Sequence, residues 1–296
     1  MKAHDAIPHL ALITAMLVWS STFVTLKIAL SVFSPMETIA GRMLTASIAC
    51  LPLLPAILRC LRDTHTRRIM LLSALFTPCL YFFCESNALL FTSSAQAGMV
   101  MALQPVAVAV GAGIFLKEHL PGRAWFGYAL AVGGVLWLSL EAIATESAPH
   151  PLFGNALEFM AVLSSAGYTL CVRHLSDKVS PWLQTGAMAF AGAVFFVFMS
   201  FVPMGAEPVV LESDLPSWLP IACVIYMGIV PTFGGFGLYS YGVSRLSAAR
   251  AAAYTNCIPV MTLVMGVWVL GDRITFSQYA AAALVLAGIY LSQTRK

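Results

Sequence analysis

The side chains of this chain that are suited to chemistry are ionisable and polar groups set inside long apolar runs. Glu85 stands in YFFCESNALLF, Arg42 in SPMETIAGRMLTAS and Lys27 in WSSTFVTLKIAL. An ionisable group in such a run costs a few kcal/mol on membrane-insertion scales and by default marks a functional or a paired position. At about 1.5 Å of rise per helical residue, the three reach a similar depth. Two kinds of task fit them. Arg42 and Glu85, with Lys27 nearby, either face a water-filled cavity, where they hold a zwitterionic substrate or exchange a proton at Glu85, or they serve structure, as an ion pair pinning the second and third helices or as snorkelling cations near the interface. Glu158, in the outer third of the sixth apolar run, is a second candidate acid.

Nearer the middle of their runs, Gln104 precedes Pro105 and Asn256 precedes Pro259. A proline inside a helix frees a carbonyl and bends the axis, which sets an amide beside irregular backbone. Those amides serve either as substrate contacts or as bonds between helices. Trp19 falls near mid-depth, away from the interfaces that tryptophan and tyrosine usually belt. With Phe23, Tyr81, Met101, Tyr168, Tyr239 and Tyr254 it can line an amphipathic cavity, or these rings pack against neighbours and lipid. The substrate-site candidates are therefore Trp19, Phe23, Arg42, Tyr81, Glu85, Gln104, Tyr168, Tyr239 and Asn256, with Glu85 as the proton-coupling candidate.

Other chemistries lack their parts. There is no HExxH, no GxSxG inside an apolar run and no GxxxxGK[ST], so neither an enzyme constellation nor a nucleotide site is expected, and any energy comes from a gradient. The seven cysteines lie in or beside apolar runs without CxxC or Cys/His spacing, so no metal, cofactor or redox pair is expected. The net charge of +3 is scattered over short loops, which gives no stripe for a nucleic acid.

Elements must position these groups, and composition says which kind. Hydrophobic residues make up 59% of the chain and charged residues 10%, against about 25% charged in a soluble domain. The apolar runs repeat along the whole length, each near the roughly 20 residues that cross a bilayer. Backbone groups in lipid must be satisfied within the segment, so each run is a helix. The expected fold is an all-α integral membrane protein with ten transmembrane helices at 9–31, 37–58, 69–91, 94–115, 122–140, 152–174, 181–202, 216–239, 247–270 and 275–292. Tight turns at Thr92–Ser94 and at Gly271-Asp272 separate the closest pairs. The loop after the second helix holds Arg59, Arg62, Arg67 and Arg68, whereas alternate loops hold Glu141, Glu146, Glu207, Glu212 and Asp214. The basic side faces the cytoplasm, which places both termini there in a multi-pass inner-membrane protein.

The chain also repeats itself. AQAGMVMALQPVAVAV at 95–110 aligns with ARAAAYTNCIPVMTLV at 249–264, matching Pro105 with Pro259, Glu118 with Asp272 and Gly134 with Gly288. Earlier in each half, Pro35 matches Pro181 and Lys27 matches Arg173. Five helices per half is an odd number, so residues 1–141 and 152–296 form two repeats of opposite orientation, the architecture of alternating access about a midplane site. Gly127, Gly133, Gly134, Ala280–Ala283 and Gly288 put small residues on helices five and ten, which serve close packing within the fold or a homodimer seam. Glu118 and Asp272 suit capping of the turns before those helices.

WSSTFVTLKIAL, SPMETIAGRMLTAS and the pair KEHLPGRAWFGYALAVGGVLWL and GDRITFSQYAAAALVLAGIYL resemble the EamA-type members of the drug/metabolite transporter superfamily over nearly the whole chain. The resemblance implies ten helices, a central cavity and export of amino acids or other small metabolites, with a drug-like, vitamin or nucleoside substrate as the alternative and a non-transporting scaffold as a remoter one. The expected partners are a small-molecule substrate and the lipid bilayer.

Overall fold

The structure is a computed structural model, and it describes residues 3–115, 122–141, 144–146, 148–202, 215–246, 248–271 and 275–293. The acids Glu118 and Asp272, expected to cap two turns, lie outside the described residues, as do Lys117, Glu207, Glu212, Asp214 and Arg273.

Among the described residues the helical stretches form ten rods. These are α1 (Ala3–Ala29), α2 (Pro35–Cys60), α3 (Thr64–Ala88), α4 (Ser94–Phe115) and α5 (Gly122–Leu140), then α6 (Pro151–Leu175), α7 (Pro181–Ser200), α8 (Leu219–Arg245), α9 (248–270) and α10 (Phe276–Gln293). Seven of them, α1 to α4 and α7 to α9, are long and apolar enough to cross a membrane. Apolar stretches in α5 and α10 are shorter, and α6 runs 25 residues with Asn155 and Glu158 in its first half. The rods lie where the apolar runs predict them. The largest departures are α1, which starts at Ala3, and α8, which continues to Arg245 through turns whose Tyr239, Ser240, Gly242 and Val243 are buried against protein neighbours.

The starts and stops have local causes. Ser34 and Glu37 make a reciprocal capping box at α2, Asp63 accepts from the Thr66 amide at α3, and Ser93 accepts from the Gln96 amide at α4. The α3–α4 division therefore falls at the expected turn. Gly271 ends α9 at φ 70°, a left-handed position that glycine adopts without steric cost.

Packing follows the two halves. Against each other stand α2 and α7, α4 and α9, and α5 and α10; α1 packs on α8 and α9, as α6 packs on α3 and α4. Exchanging α1–α5 for α6–α10 maps this pattern onto itself. The α5–α10 seam uses the small residues named above: a Cβ on Gly134 would stand 2.9 Å from the Ala281 carbonyl oxygen, and one on Gly288 would stand 2.6 Å from that of Gly127. That face is thus largely filled within the chain, while Gly133 points to open space and Ala283 is exposed. Outward lie Phe115, Phe126, Val194, Phe198, Trp268 and Phe276, a surface suited to lipid tails.

Both halves break their third and fourth rods at matching places. Wide turns occupy Leu75–Leu80 of α3, with Pro78, and Gly228–Gly235 of α8, with Pro231. Tight turns occupy Met101–Leu103 of α4 and Ala253–Asn256 of α9. The freed carbonyls and bent axes converge on the interior, which is where the site forms.

Candidate functional site

Three rods place the charged centre. On α3, residues 81, 82 and 85 share one face, so Tyr81, Phe82 and Glu85 point together toward α2. The Tyr81 hydroxyl donates to Glu85 Oε1 at 2.5 Å. From α2, Arg42 reaches Glu85 with Nη1 at 3.9 Å from Oε2, lays its guanidinium 4.1 Å above the Phe82 ring and donates from Nε to Thr232 Oγ1 at 2.7 Å. Thr232 belongs to the wide turn of α8, and its hydroxyl donates onward to the Met227 carbonyl at 2.8 Å. The proline-broken turn thus supplies the hydroxyl that orients Arg42, and Met227 just before it supplies the carbonyl that orients the hydroxyl. Gly228 lets the rods meet, since a Cβ there would stand 2.6 Å from the Arg42 carbonyl oxygen.

At 3.9 Å, the Arg42–Glu85 contact is an ion pair but too long for a hydrogen bond. Arg42 Nη1 and Glu85 Oε2 accordingly have no hydrogen-bond partner, although both side chains are buried. Between them is a cavity of about 20 Å³, walled by Trp19, Phe23, Tyr81, Phe82, Phe236 and Ile258 and reached by Thr22, Met101 and Ser165. That volume suits a water molecule and no metabolite. In this conformation the centre has no room for a metabolite.

Five of the nine residues named from sequence, Trp19, Phe23, Arg42, Tyr81 and Glu85, line this one cavity. The other four stand behind it. Gln104 is buried and donates to Ser165 Oγ at 2.8 Å, so it touches the cavity wall from outside, with its Oε1 unpartnered. Tyr168 meets Ser240 and Tyr239 meets Thr169, each at 3.0 Å, which ties α6 to α8. Trp19 packs on Phe236 and Tyr239, with ring centres 4.7 and 4.9 Å away, and donates to the Pro231 carbonyl at 3.1 Å. Asn256, in the tight turn of α9, is half-buried with Oδ1 unpartnered. Lys27 does not join the centre: its ammonium donates to the Thr92 carbonyl at 2.7 Å, at the end of the bundle. Tyr254 pairs with His9.

Phe82, Phe236, Ile258 and Thr232 were not among the residues expected from sequence. A signal for two of them existed, because Pro231 marks a broken helix as Pro105 does, with Thr232 beside it and Phe236 just over one turn on. No group of His, Cys, Asp and Glu side chains among the described residues is arranged to hold a metal ion.

The pattern of the EamA-like transporter family matches this chain twice, over residues 6–140 and 152–294. The chain belongs to that family. In this EamA-like transporter, the Arg42 centre takes α2 and α3 from the first matched segment and α8 from the second. Among similar proteins, the uncharacterized transporter YcxC of Bacillus subtilis is 27% identical over 295 residues, covering 98% of this chain and 94% of its own. A probable amino-acid metabolite efflux pump of Salmonella typhimurium is 27% identical over 287 residues, covering 93% and 91%. A crystal structure superposes with a TM-score of 0.66 at 18% identity over 97% of this chain and 96% of that one, a likeness of fold. The family and the apolar rods together make this a multi-pass membrane protein of a transporter family.

Proposed function

We propose that this chain is a secondary transporter that exports a small metabolite, an amino acid or a related zwitterionic or amphipathic compound, by alternating access. The observation that carries the reading is the Arg42–Glu85 pair: two opposite charges, buried where the two halves meet, held 3.9 Å apart with one nitrogen and one oxygen unpartnered. A carboxylate suits the guanidinium and an ammonium suits Glu85 Oε2, while Trp19, Phe23 and Tyr81 enclose an apolar side chain. Two relatives named as probable amino-acid metabolite efflux pumps support the same class. The aromatic walls equally favour a flat vitamin or nucleoside as the second substrate class.

The cavity is too small for any of these, so binding requires the halves, residues 1–141 and 152–296, to part. The wide turns of α3 and α8 are the hinges we assign, because broken backbone bends at low cost. Gln104 and Asn256 flank the path, and Tyr168 and Tyr239 brace the wall. Arg59, Arg62, Arg67 and Arg68 after α2 put that side, with both termini, in the cytoplasm of an inner-membrane protein. Proton exchange is assigned to the buried acid site that includes Glu85.

Counterflow in proteoliposomes tests the reading. A panel of amino acids, amines, nucleosides and vitamins is expected to yield at least one saturable exchange, and Arg42→Ala to raise its half-saturation concentration at least about tenfold, the weight of one charge-assisted bond. Folded Arg42→Ala protein that exchanges with unchanged half-saturation would sink the substrate role of the pair.

A further inference from the structure

Arg42 has one carboxylate at ion-pair distance, yet the interior around it holds two. Glu158 on α6 is 0% exposed, and neither of its carboxyl oxygens meets a hydrogen-bond donor. Its place follows from a stripe along α6. A Cβ on Gly154 would lie 2.8 Å from the Ala88 carbonyl oxygen, Ser164 donates to the Phe76 carbonyl at 2.8 Å, and Gly167 faces the Phe76 ring. One turn after Gly154 and between these anchors, Glu158 is directed at the middle of α3, the stretch that carries Tyr81, Cys84 and Glu85.

Among the described residues no cation stands within ion-pair distance of this acid: Arg42 pairs with Glu85, and the buried Lys27 is bonded to the Thr92 carbonyl. From α4 the neighbours of α6 are the neutral Gln96 and Gln104, and from α5 the neutral Ser139 at Asn155. Tyr239 of α8 meets α6 only at Thr169, about three turns further along, and α9 meets it through Ala248 and Ala252 beside Ala166. With both carboxyls ionised, Arg42, Glu85 and Glu158 together carry one net negative charge on three buried side chains. A buried charge without a partner is avoided by taking up a proton or a cationic group.

We infer that Glu85 and Glu158 form a one-proton site, with the proton on Glu158 in this conformation, and that a substrate ammonium displaces it, making the carrier a proton–amine antiporter. The step breaks the carboxyl O–H bond, passes the proton to water on the open side and leaves the carboxylate paired with the ammonium; no other bond changes. This rests on the carrier reading for its transport half and on charge and burial alone for its proton half.

Infrared titration of the purified protein in nanodiscs reads the proton directly. Wild type at neutral pH is expected to show the carbonyl band of a protonated carboxyl, Glu158→Gln to lose it, and Arg42→Gln, which removes the cation, to enlarge it. Absence of the band from wild type would overturn the proposal, as would its full retention in Glu158→Gln. Should Glu158→Gln fail to fold, the wild-type band and its growth in Arg42→Gln decide the matter. In proteoliposomes, a proton gradient is expected to drive wild-type uptake of whichever panel amine or amino acid exchanges, and Glu158→Gln to lose that drive; gradient-driven uptake that survives in Glu158→Gln would overturn the antiport. Exchange without the band leaves the carrier standing and the proton site refuted. The band without exchange of any panel compound refutes the carrier and keeps the proton site.

Discussion

The two ends of the bundle are built from equivalent positions and are closed to different degrees. At one end, Lys27 of α1 is buried and donates to the Thr92 carbonyl, just past α3, at 2.7 Å. At the other, its repeat counterpart Arg173 of α6 is half-buried and donates to the Val243 carbonyl, near the end of α8, at 3.4 Å. Each cation thus meets the carbonyl-rich end of the matching helix, where positive charge is favoured. Around Lys27 the bonds continue: Thr92 Oγ1 to Asn155 at 2.7 Å, Asn155 Nδ2 to Gln96 at 2.9 Å and to Ser139 at 3.1 Å, and Ser94 to the Phe23 carbonyl at 3.0 Å. Around Arg173 there is a part-buried His9–Tyr254 pair and the His65 and His174 rings 5.5 Å apart. The repeat hands both ends the same cation and the same acceptor, and burial with satisfied partners decides which end is shut. Among the described residues, opening the Lys27 end breaks several buried bonds at once, whereas the Arg173 bond at the other end is longer and half-buried.

Substitutions that unmake one end and spare the other test this difference. Gly154→Val is expected to cost the most, about 3 kcal/mol, the upper range for overpacking. Its Cβ would sit 2.7 Å from Thr92 Cβ and 2.8 Å from the Ala88 carbonyl oxygen, so a lowered melting temperature in detergent checks it. Next comes Asn155→Leu, about 2 kcal/mol, because Thr92, Gln96 and Ser139 each lose a buried partner. Arg173→Met is expected to stay below about 1 kcal/mol, since its 3.4 Å bond is long and half-solvated. Equal losses for Asn155→Leu and Arg173→Met in the same melting assay would show that the two ends are equally closed.

The smallest effect belongs to Asp63, the exposed cap of α3 in the loop after α2. Its bonds from Thr66 hold the carboxyl below the ordinary carboxylate range. A lowered value in the folded state means the cap stabilises above the unfolded-state value and is lost as pH falls through the folded one. Asp63→Asn is therefore expected to lower the melting temperature slightly at neutral pH and to flatten its decline below the ordinary carboxylate range, measured as melting temperature against pH.

Much of this was legible before any coordinates. Counting residues along apolar runs put Arg42 and Glu85 at one depth, and the structure pairs them across α2 and α3. The same counting put Lys27 beside them, and there it failed: depth along the bilayer normal says nothing about rotation about a helix axis, and Lys27 turns toward Thr92. Thr232 is 190 residues from Arg42, and no local pattern joins them. Gln104 was singled out through Pro105, and the bend does bring it inward, yet Ser165 stands between it and the cavity.

By itself, the sequence determined that this is a helical membrane protein with two matched halves. Lipid forces each apolar run to satisfy its own backbone within a few residues, so helix formation is a local decision that composition records. Only the tertiary structure decided which buried charges meet, that Glu158 finds no donor, and that the Lys27 end is shut more tightly than its counterpart. Those outcomes depend on helix rotation, on the bends at Pro78 and Pro231, and on contacts between residues far apart in the chain. No stretch of sequence contains both partners of such a contact.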